Sequence, residues 1–519
     1  MTTKTDAIAA ATIPEIGKAV ERYHTFLSKA QLQRKDYQTE GIQFCLQNEL
    51  SSQQSRCVRG GIVADEMGLG KTIMMIGLII ANFQKRTLIV LPVALVKQWE
   101  QQILRTTGHK ALVYYGADKK HITQSMLQEA PVVITTYGHM IRRDIHSTSS
   151  VSESTHTPTH RLYQLKWSRV IFDEAHHVRT PHTQIFKSVS TLKADIRWFV
   201  TGTPIQNSIR DFYALCSLLG LHSSYYANKD NLREIVKTFV LKRTKKSVGL
   251  SLPPLISHTV AVKWASHSEM ILSHNLHSGI GCLNISALPD HEQEQEEEPR
   301  WFPEPCVAKI GRMIQAKQSC IYPRLACRNS VPKMPDTEDA NYCSKISTVV
   351  HTIISRKDNM KRKIVFCHFR GEIDIIQTYL NIEDPDLVVR YLDGRTNENE
   401  RRKILAPDAE IDVLILQIQT CCEGLNLQQF SEVYFVSPDW NPSVEDQAIA
   451  RCHRFGQTEP VIVFRFIMAP FQLQFSHTDA EVVDASAPQT EHPQLDTIET
   501  YTANIQNKKR IFADEVLNI

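Results

Sequence analysis

Short apolar runs of strand length recur through the first 200 residues of the sequence and are separated by stretches with helical potential. They are rich in Val and Ile and lie at 61–64, 87–91, 132–135, 169–172 and 198–200. Alternation of buried strands with helices predicts a parallel sheet with helices on both faces. A second series of runs, at 363–368, 387–392, 413–417, 433–436 and 461–464, follows residue 360. The sequence therefore predicts an α/β fold with two parallel-sheet lobes.

The length and composition fit this architecture. At 519 residues the chain is too long for a single core, and its 42% hydrophobic and 22% charged residues are ordinary for a soluble globular protein. The net charge of +3 gives no global basic field, so any nucleic-acid surface must be local. We expect neither a signal peptide nor a membrane span, because no apolar run is long enough. The 12 cysteines contain no Cys-x-x-Cys spacing, which argues against a zinc module and favours a reducing compartment.

The two series of runs set the predicted domain boundaries. We expect an N-terminal extension at 1–28, a first lobe at 29–245, a helical linker at 246–344 and a second lobe at 345–515. The linker contains five Glu between 292 and 299, a charge run typical of a solvated loop. Residues 144–160, rich in Ser, Thr and His, and the polar residues 469–496 are expected to be surface insertions.

The sequence DEMGLGKT, which ends at Thr72, lies between the first apolar run and an apolar stretch that is predicted to be a helix. Gly68 and Gly70 would let backbone N–H groups approach phosphate oxygens. Lys71 would supply a cation to the β- and γ-phosphates, and the Thr72 hydroxyl would bind Mg²⁺. Asp65 stands where the simplest phosphate-loop pattern has Gly, so this motif taken alone leaves an ordinary Gly-rich turn as an alternative.

Two consecutive carboxylates, Asp173 and Glu174, follow the apolar run at 169–172. They are expected at the carboxyl edge of the sheet, where ligands bind in such folds. Asp173 would hold Mg²⁺, and Glu174 would orient or deprotonate the attacking water. The pair by itself is equally typical of an ordinary loop start, and it gains weight because it follows the phosphate loop in the same predicted sheet.

A third motif lies in the second lobe, where Gln447, Arg451 and Arg454 are spaced i, i+4 and i+7. This spacing predicts that the three side chains share one face of a helix. In most proteins such a pair of arginines is a surface patch. In an ATPase, a guanidinium from a second lobe can contact the γ-phosphate as an arginine finger, which makes hydrolysis depend on lobe closure.

Ordered motifs along the chain resemble those of the SWI/SNF-type helicase-like ATPases of helicase superfamily two. Besides DEMGLGKT they are LPVALVKQW from Leu91, VITTY from Val133, DEAH from Asp173, TGTPIQNS from Thr201, KRTK from Lys242, LPP from Leu252, EGLNL from Glu423, DWNP from Asp439 and QAIARCHRFGQ from Gln447. The family implies two RecA-like lobes with ATP between them, Mg²⁺ as cofactor and double-stranded DNA as partner. It also implies translocation along the duplex without strand separation.

The resemblance assigns expected roles to further residues. In the ATP site it adds Gln38, which would read adenine, and the remaining loop residues Asp65, Glu66, Met67 and Leu69. Interlobe coupling is expected from Thr201, Thr203 and Gln447. The expected DNA contacts, mostly to backbone phosphates, are Lys97, Thr135, Thr136, Gly424, Asn426 and Trp440.

Within the family, the sequences around Trp440 and at 315–326 most resemble the branch of postreplication-repair and transcription-termination ATPases. Several members of that branch carry a zinc-binding RING, which needs the Cys-x-x-Cys pairs that this chain lacks. Cys421 and Cys422 replace a pair of glycines that the family usually has, and Cys resists the left-handed backbone that Gly allows. This departure bears on the expected second-lobe contact to DNA.

The sequence therefore predicts a DNA-dependent ATPase that moves along duplex DNA and remodels or displaces bound protein, such as nucleosomes or a polymerase. Chromatin remodelling, transcription and DNA repair all stay open as pathways. A strand-separating helicase and an ATP-binding scaffold without turnover are the alternatives. Residues 242–246 resemble a nuclear localisation patch, and a nuclear location is expected, with a viral or cytoplasmic DNA factory left open.

Overall fold

The structure is a computed structural model that describes residues 4–50, 58–141, 161–206, 208–280, 307–326, 343–406, 408–421, 425–472 and 495–517. Some sequence predictions lie outside these residues: the insertion at 144–160, the acidic run at 292–299, Gly424 and most of the insertion at 469–496. The chain divides into two compact units, Met1–Ser251 with Phe512–Ile519, and Leu252–Ile511.

The first unit is built on a seven-stranded parallel sheet with the order β3-β4-β2-β5-β6-β1-β7. Its strands are β1 (Gly60–Val63), β2 (Thr87–Leu91), β3 (Leu112–Val113), β4 (Val132–Thr136), β5 (Trp167–Asp173), β6 (Ala194–Val200) and β7 (Val240–Leu241). Its helices are α1 (Lys4–Lys29), α2 (Asp36–Leu50), α3 (Lys71–Ala81), α4 (Val96–Thr107), α5 (Gln124–Glu129), α6 (Gln184–Ser190), α7 (Ile209–Leu219), α8 (Ser223–Tyr226) and α9 (Leu232–Phe239). Successive β2 residues, Leu88 and Ile89, lie in two different apolar clusters, so both faces of the sheet are covered.

The second unit is built on a six-stranded parallel sheet with the order β10-β11-β9-β12-β13-β8. Its strands are β8 (Leu255–Val262), β9 (Lys363–Cys367), β10 (Val389–Leu392), β11 (Val413–Gln417), β12 (Glu432–Phe435) and β13 (Val461–Met468). Its helices are α10 (His267–Ser278), α11 (Val307–Ile321), α12 (Pro323–Ala326), α13 (Ser344–Ile354), α14 (Arg370–Glu383), α15 (Glu398–Ile404), α16 (Ile418–Cys421), α17 (Pro442–Cys452) and α18 (Ile498–Leu517), of which the last residues, from Phe512, belong to the first unit. The two parallel-sheet α/β lobes predicted from the sequence are confirmed. Among the described helices of both units, none combines the length and apolarity that a membrane span requires.

The predicted helical linker contains a strand that the sequence did not reveal. Strand β8 pairs in parallel with β13 and forms the edge of the second sheet. Most of its side chains are exposed, and only Val262 is buried. Its apolar residues are interrupted by Ser257, His258 and Thr259, so they form no continuous run like those of the buried strands, and a search for such runs overlooks it.

A buried carboxylate fixes the helices of the first unit to its sheet. Glu49 of α2 is fully buried and accepts hydrogen bonds from Arg169 Nε of β5 at 2.6 Å and from Trp198 Nε1 of β6 at 2.8 Å. It also accepts from Asn82 Nδ2, just after α3, at 2.7 Å. Because a buried ion pair needs such additional donors to offset its desolvation, this network defines where α2 and α3 lie on the sheet.

Candidate active site

The loop between β1 and α3 has the backbone geometry that a phosphate cradle needs. Gly68 and Gly70 both have left-handed φ angles, +91° and +82°, and Gly70 directly precedes the first residue of α3. Any other residue at Gly70 would be strained by this φ, and its Cβ, 2.5 Å from Gln38 Nε2, would force the Gln38 side chain to move. Thr72 is the second residue of α3. The helix therefore directs its N-terminal N–H groups toward this loop, an arrangement that favours anions.

Lys71 and Gln38 both bind the backbone of this loop. Lys71 Nζ donates to the carbonyl oxygen of Asp65 at 2.7 Å. Gln38, which is buried on α2, donates from Nε2 to the carbonyl oxygen of Leu69 at 3.0 Å. The structure thus brings the predicted adenine-reading glutamine next to the predicted phosphate loop.

The acidic pair lies at the carboxyl edge of the same sheet. Asp173 ends β5, and its carboxylate accepts from Trp99 Nε1 at 2.7 Å and from the Glu174 backbone N–H at 3.0 Å. Burial and the neighbouring Glu174 carboxylate raise the pKa of Asp173 to about 7, while the Trp99 hydrogen bond and the Lys71 charge oppose this rise. A buried carboxylate whose pKa is raised by a neighbouring carboxylate is stabilised by a cation, and carboxylate oxygen atoms are the ligands that Mg²⁺ prefers.

Glu174 is held in an unusual backbone conformation. It has φ 50° and ψ 53°, a left-handed conformation that a residue other than glycine adopts at a cost in free energy. His176 Nδ1 lies 3.4 Å from Glu174 Oε2, and the His176 and His177 rings stack at a centroid distance of 4.6 Å. Tyr137 donates its hydroxyl to the Asp173 carbonyl oxygen at 2.7 Å, which secures the end of β5.

The loop after β6 lies against the phosphate loop. The Thr201 N–H donates to the Val63 carbonyl oxygen at 3.0 Å. A Cβ at Gly202 would lie 2.9 Å from Met67 Cε and 3.7 Å from Lys71 Nζ, so this turn approaches both residues closely. The Thr203 N–H donates to Thr201 Oγ1 at 3.2 Å, and Gln206 Nε2 donates to Thr203 Oγ1 at 3.0 Å. The two predicted coupling threonines therefore belong to one hydrogen-bonded turn beside Lys71.

The residues expected to contact DNA in the first unit differ in exposure. Lys97 is exposed at the start of α4, at the carboxyl end of β2. Thr135 is fully buried, and its hydroxyl donates to the Tyr114 carbonyl oxygen at 3.0 Å. Thr136 is 1% exposed, with its hydroxyl 2.9 Å from His139 Nδ1. A phosphate contact by Thr135 would require this buried hydrogen bond to break, so Lys97 is the better placed of the three.

The arginine motif of the second unit departs from the predicted single helix face. Gln447 is buried and Arg451 half-buried on α17, but this helix ends at Cys452, so Arg454 lies in the following turn. Gln457 stabilises the turn by donating to the Cys452 carbonyl oxygen at 3.2 Å. Burial and the adjacent Arg451 lower the pKa of Arg454. The prediction that Arg454 shares the helix face was therefore wrong, although the two arginines do lie close together.

A second buried carboxylate anchors helix α17. Glu445 is fully buried and accepts from the Asp439 N–H at 3.0 Å, from Arg465 Nε at 2.8 Å and from Gln506 Nε2 at 2.8 Å. These partners come from the loop before α17, from β13 and from α18. The helix that carries Arg451 is thus fixed to the second sheet by a fully satisfied side chain.

Of the other residues expected to contact DNA, Trp440 follows β12 at the carboxyl edge of the second sheet, and Asn426 lies between α16 and β12. Asn426 is exposed, with Nδ2 3.4 Å from Gln428 Oε1. The Trp440 ring is half-buried, 5.5 Å from Lys317 Nζ, and the Trp440 carbonyl oxygen accepts from Lys509 Nζ at 3.1 Å.

Two side chains near the phosphate loop were not assigned a role from the sequence. Trp99, the last residue of the LPVALVKQW motif, is the hydrogen-bond donor to Asp173. Arg243, in the KRTK motif, donates from Nε to Asp65 Oδ1 at 3.0 Å. Both residues stand in motifs that resemble those of the family, but the motifs do not indicate which residues these side chains contact.

Two domain families match the chain. The SNF2-related domain matches residues 37–229, and the helicase conserved C-terminal domain matches residues 344–456. The first range contains the phosphate loop and the acidic pair, and the second contains both arginines of the α17 motif.

Several curated proteins are similar to this chain. DNA repair protein RAD5 from Candida albicans is 27% identical over 79% of this chain and 54% of that protein. DNA excision repair protein ERCC-6-like from Danio rerio is 27% identical over 83% of this chain and 34% of that protein. The ISWI chromatin-remodeling complex ATPase ISW2 from Saccharomyces cerevisiae is 25% identical over 83% of this chain and 38% of that protein. The chain thus spans between about a third and about half of the length of these relatives.

Among solved structures, the Sulfolobus solfataricus SWI2/SNF2 ATPase core in complex with dsDNA is 23% identical to this chain. The alignment covers 84% of this chain and 88% of that chain, with a TM-score of 0.38.

Proposed function

Because this chain belongs to the SWI/SNF-type ATPases of helicase superfamily two, we propose that it is an ATP-driven translocase on double-stranded DNA that remodels or displaces bound protein. The two matched domains are those of DNA-dependent ATP hydrolases. The observation that carries the proposal is the meeting, in one unit, of a glycine loop, Lys71 and the buried Asp173 carboxylate with its raised pKa. Relatives named for DNA repair and chromatin remodelling support a nuclear location as part of the same proposal.

In the proposed ATP site, different groups of the first unit bind the phosphates, orient the attacking water and hold the metal ion. N–H groups at Gly68 to Gly70 and the start of α3 receive the phosphates, and Lys71 leaves the Asp65 carbonyl oxygen to bind them. Glu174 accepts a hydrogen bond from the attacking water and orients it toward the γ-phosphate. Thr72 and Asp173 would hold Mg²⁺, which would supply positive charge against the phosphates of the nucleotide.

The proposed contribution of the second unit is positive charge. Burial and the positive charge of Arg451 lower the pKa of Arg454, so the two guanidiniums interact electrostatically. Two like charges held together in a partly desolvated position are stabilised when an anion binds between them. We assign that anion as the γ-phosphate of ATP. Gln447, Thr201 and Thr203 are proposed to couple this contact to movement of the lobes.

The proposed DNA contacts are sequence-independent. Lys97, at the carboxyl end of β2, is an exposed cation suited to a backbone phosphate. Asn426 and Trp440 offer an amide and an indole in the second unit. The proposal also includes Thr135 and Thr136, which are buried in this structure, and Gly424, which lies outside the described residues.

The test combines two assays on the wild-type protein. ATP turnover is measured with and without duplex DNA, and displacement of a third strand from a DNA triplex reports movement along the duplex. We expect ATP turnover to rise with duplex DNA and the triplex strand to be displaced only when ATP is hydrolysed. Turnover that ignores duplex DNA would refute the proposal. Efficient unwinding of a forked duplex would instead favour a strand-separating helicase.

A further inference from the structure

We propose that Arg243 is a positioning residue for nucleotide binding: its ion pair with Asp65 holds the phosphate loop and helix α2 in the arrangement that receives ATP. The inference rests on the proposed ATP site and adds to it a residue beyond the matched SNF2-related range of 37–229. It also explains why the loop has Asp65 where simpler phosphate loops have glycine, because this carboxylate is the partner of Arg243.

The ion pair is bidentate and largely shielded from water. Arg243 Nε donates to Asp65 Oδ1 at 3.0 Å, and Nη2 donates to Asp65 Oδ2 at 2.5 Å. The Arg243 side chain is 13% exposed and that of Asp65 is 2% exposed. Bidentate guanidinium–carboxylate pairs fix orientation as well as distance. The pair therefore fixes the position of Asp65 relative to Arg243, and with it the start of the phosphate loop.

The same guanidinium also holds helix α2. Arg243 Nη1 donates to the Tyr37 carbonyl oxygen, and the guanidinium lies over the Tyr37 ring, 5.6 Å from its centroid. Tyr37 directly precedes Gln38, which donates to the Leu69 carbonyl oxygen. One side chain thus connects the start of the phosphate loop with the helix that carries the proposed adenine-reading residue.

Backbone hydrogen bonds align the segment that carries Arg243 with the phosphate loop. They continue the pairing of β1 with β7: the Ala64 N–H donates to the Leu241 carbonyl oxygen at 2.7 Å, and the Glu66 N–H to the Arg243 carbonyl oxygen at 2.8 Å. Farther along, the Lys245 N–H donates to Glu66 Oε2 at 2.7 Å, and Lys245 Nζ lies 3.1 Å from Glu66 Oε1. The segment is therefore fixed in register with the loop, which places Arg243 opposite Asp65.

The charge balance predicts a specific order of defects. Removing Arg243 leaves the Asp65 carboxylate buried and uncompensated, close to Lys71, which binds the Asp65 carbonyl oxygen. That negative charge would repel the phosphates of ATP, and the loop would also lose its connection to α2. Changing Asp65 to Asn removes the negative charge, so Asp65→Asn should repair part of the defect of Arg243→Ala.

The experiment compares Arg243→Ala, Arg243→Lys, Asp65→Asn and the double variant Arg243→Ala/Asp65→Asn with wild type. Affinity for a fluorescent ATP analogue is measured without DNA, KM and kcat are measured with saturating duplex DNA, and melting temperature reports folding. We expect Arg243→Ala to weaken nucleotide affinity and raise KM by about tenfold or more, with kcat within about threefold of wild type. Arg243→Lys, Asp65→Asn and the double variant should each show a smaller defect. Lys246→Ala, an exposed cation three residues on, serves as the matched control and should behave as wild type.

A lower melting temperature with unchanged nucleotide affinity would show that the pair only stabilises the fold, and would overturn the proposal. So would a double variant that binds nucleotide more weakly than Arg243→Ala, or a loss confined to kcat. If Arg243→Ala does not fold, the affinities of Arg243→Lys and Asp65→Asn decide, and wild-type values in both would contradict the role. Because affinity is measured without DNA, a wild-type protein that ignores duplex DNA would refute the proposed translocase and leave this test intact.

Discussion

The phosphate-loop region of the first unit and the arginine turn of the second differ in how their charges are balanced. In the first unit Lys71 binds the Asp65 carbonyl oxygen and Asp65 is paired with Arg243, so that each charge has a local partner. In the second unit Arg454 lies beside another cation, and its pKa is lowered by burial and by Arg451. Under the proposed function, the difference teaches that the first unit holds its charges ready to bind a nucleotide, whereas the second carries positive charge suited to the γ-phosphate as negative charge builds up on it during hydrolysis.

The largest effect is expected from substituting the proposed catalytic and phosphate-binding side chains of the first unit. Glu174→Gln keeps the shape of the side chain but cannot accept a proton, so kcat should fall by roughly 10²–10⁴-fold. Lys71→Ala should abolish turnover and also weaken ATP binding, because its ammonium acts on the bound phosphates. Turnover is measured with saturating ATP and duplex DNA. Glu40→Gln on the exposed face of α2 is the control, and wild-type rates in both Glu174→Gln and Lys71→Ala would contradict the site assignment.

Removing charge from the second unit should affect the rate more than binding. We expect Arg454→Ala to lower kcat by roughly 10³-fold, as arginine fingers do, with ATP affinity changed by less than about fivefold. Arg324→Ala, an exposed arginine of the same unit, is the matched control. If Arg454→Ala instead weakens ATP binding and leaves kcat unchanged, the second unit contributes to nucleotide binding, and the contrast drawn between the two units is incorrect.

A smaller effect is expected at the proposed DNA surface. Lys97→Ala should raise the duplex concentration needed for half-maximal ATPase stimulation by a few fold. It should also make the slope of log affinity against log salt less negative by about 0.9, the contribution of one phosphate contact. Lys85→Ala provides the control, because Lys85 is exposed just before β2, at the opposite edge of the sheet. An unchanged slope in Lys97→Ala would remove this residue from the DNA interface.

The smallest effect concerns the stability of the metal-free protein. The pKa of Asp173 is raised from 3.8 to about 7, so the folded state binds this proton more tightly than the unfolded state does. The free energy of unfolding therefore falls as pH rises from about 4 to about 7, through this group alone. Asp173→Asn mimics the protonated form and should raise the melting temperature in EDTA at pH 8, by roughly 2–4 °C for each 1 kcal/mol gained. No such gain is expected at pH 4, and a lower melting temperature at pH 8 would show that lost hydrogen bonds outweigh the charge.

Local patterns in the sequence predicted the sheets well and the side-chain partners poorly. Apolar runs predicted β2, β5 and β9 because these strands are buried on both faces, whereas the exposed edge strand β8 gave no such pattern. Spacing placed Arg454 on the helix face of Arg451, but the helix ends at Cys452, where Gln457 stabilises a turn. Helix ends depend on contacts such as this one, made by residues beyond the periodic pattern.

The sequence by itself determined the fold class, the order of the motifs and the family, because hydrophobic periodicity and glycine at fixed positions act locally along the chain. Only the tertiary structure decided which charges meet. Arg243 and Asp65 are separated by 178 residues, and so their ion pair depends on the parallel pairing of β1 with β7. Likewise, the raised pKa of Asp173 follows from burial at the end of β5 beside Glu174, a property of packing rather than of residue identity.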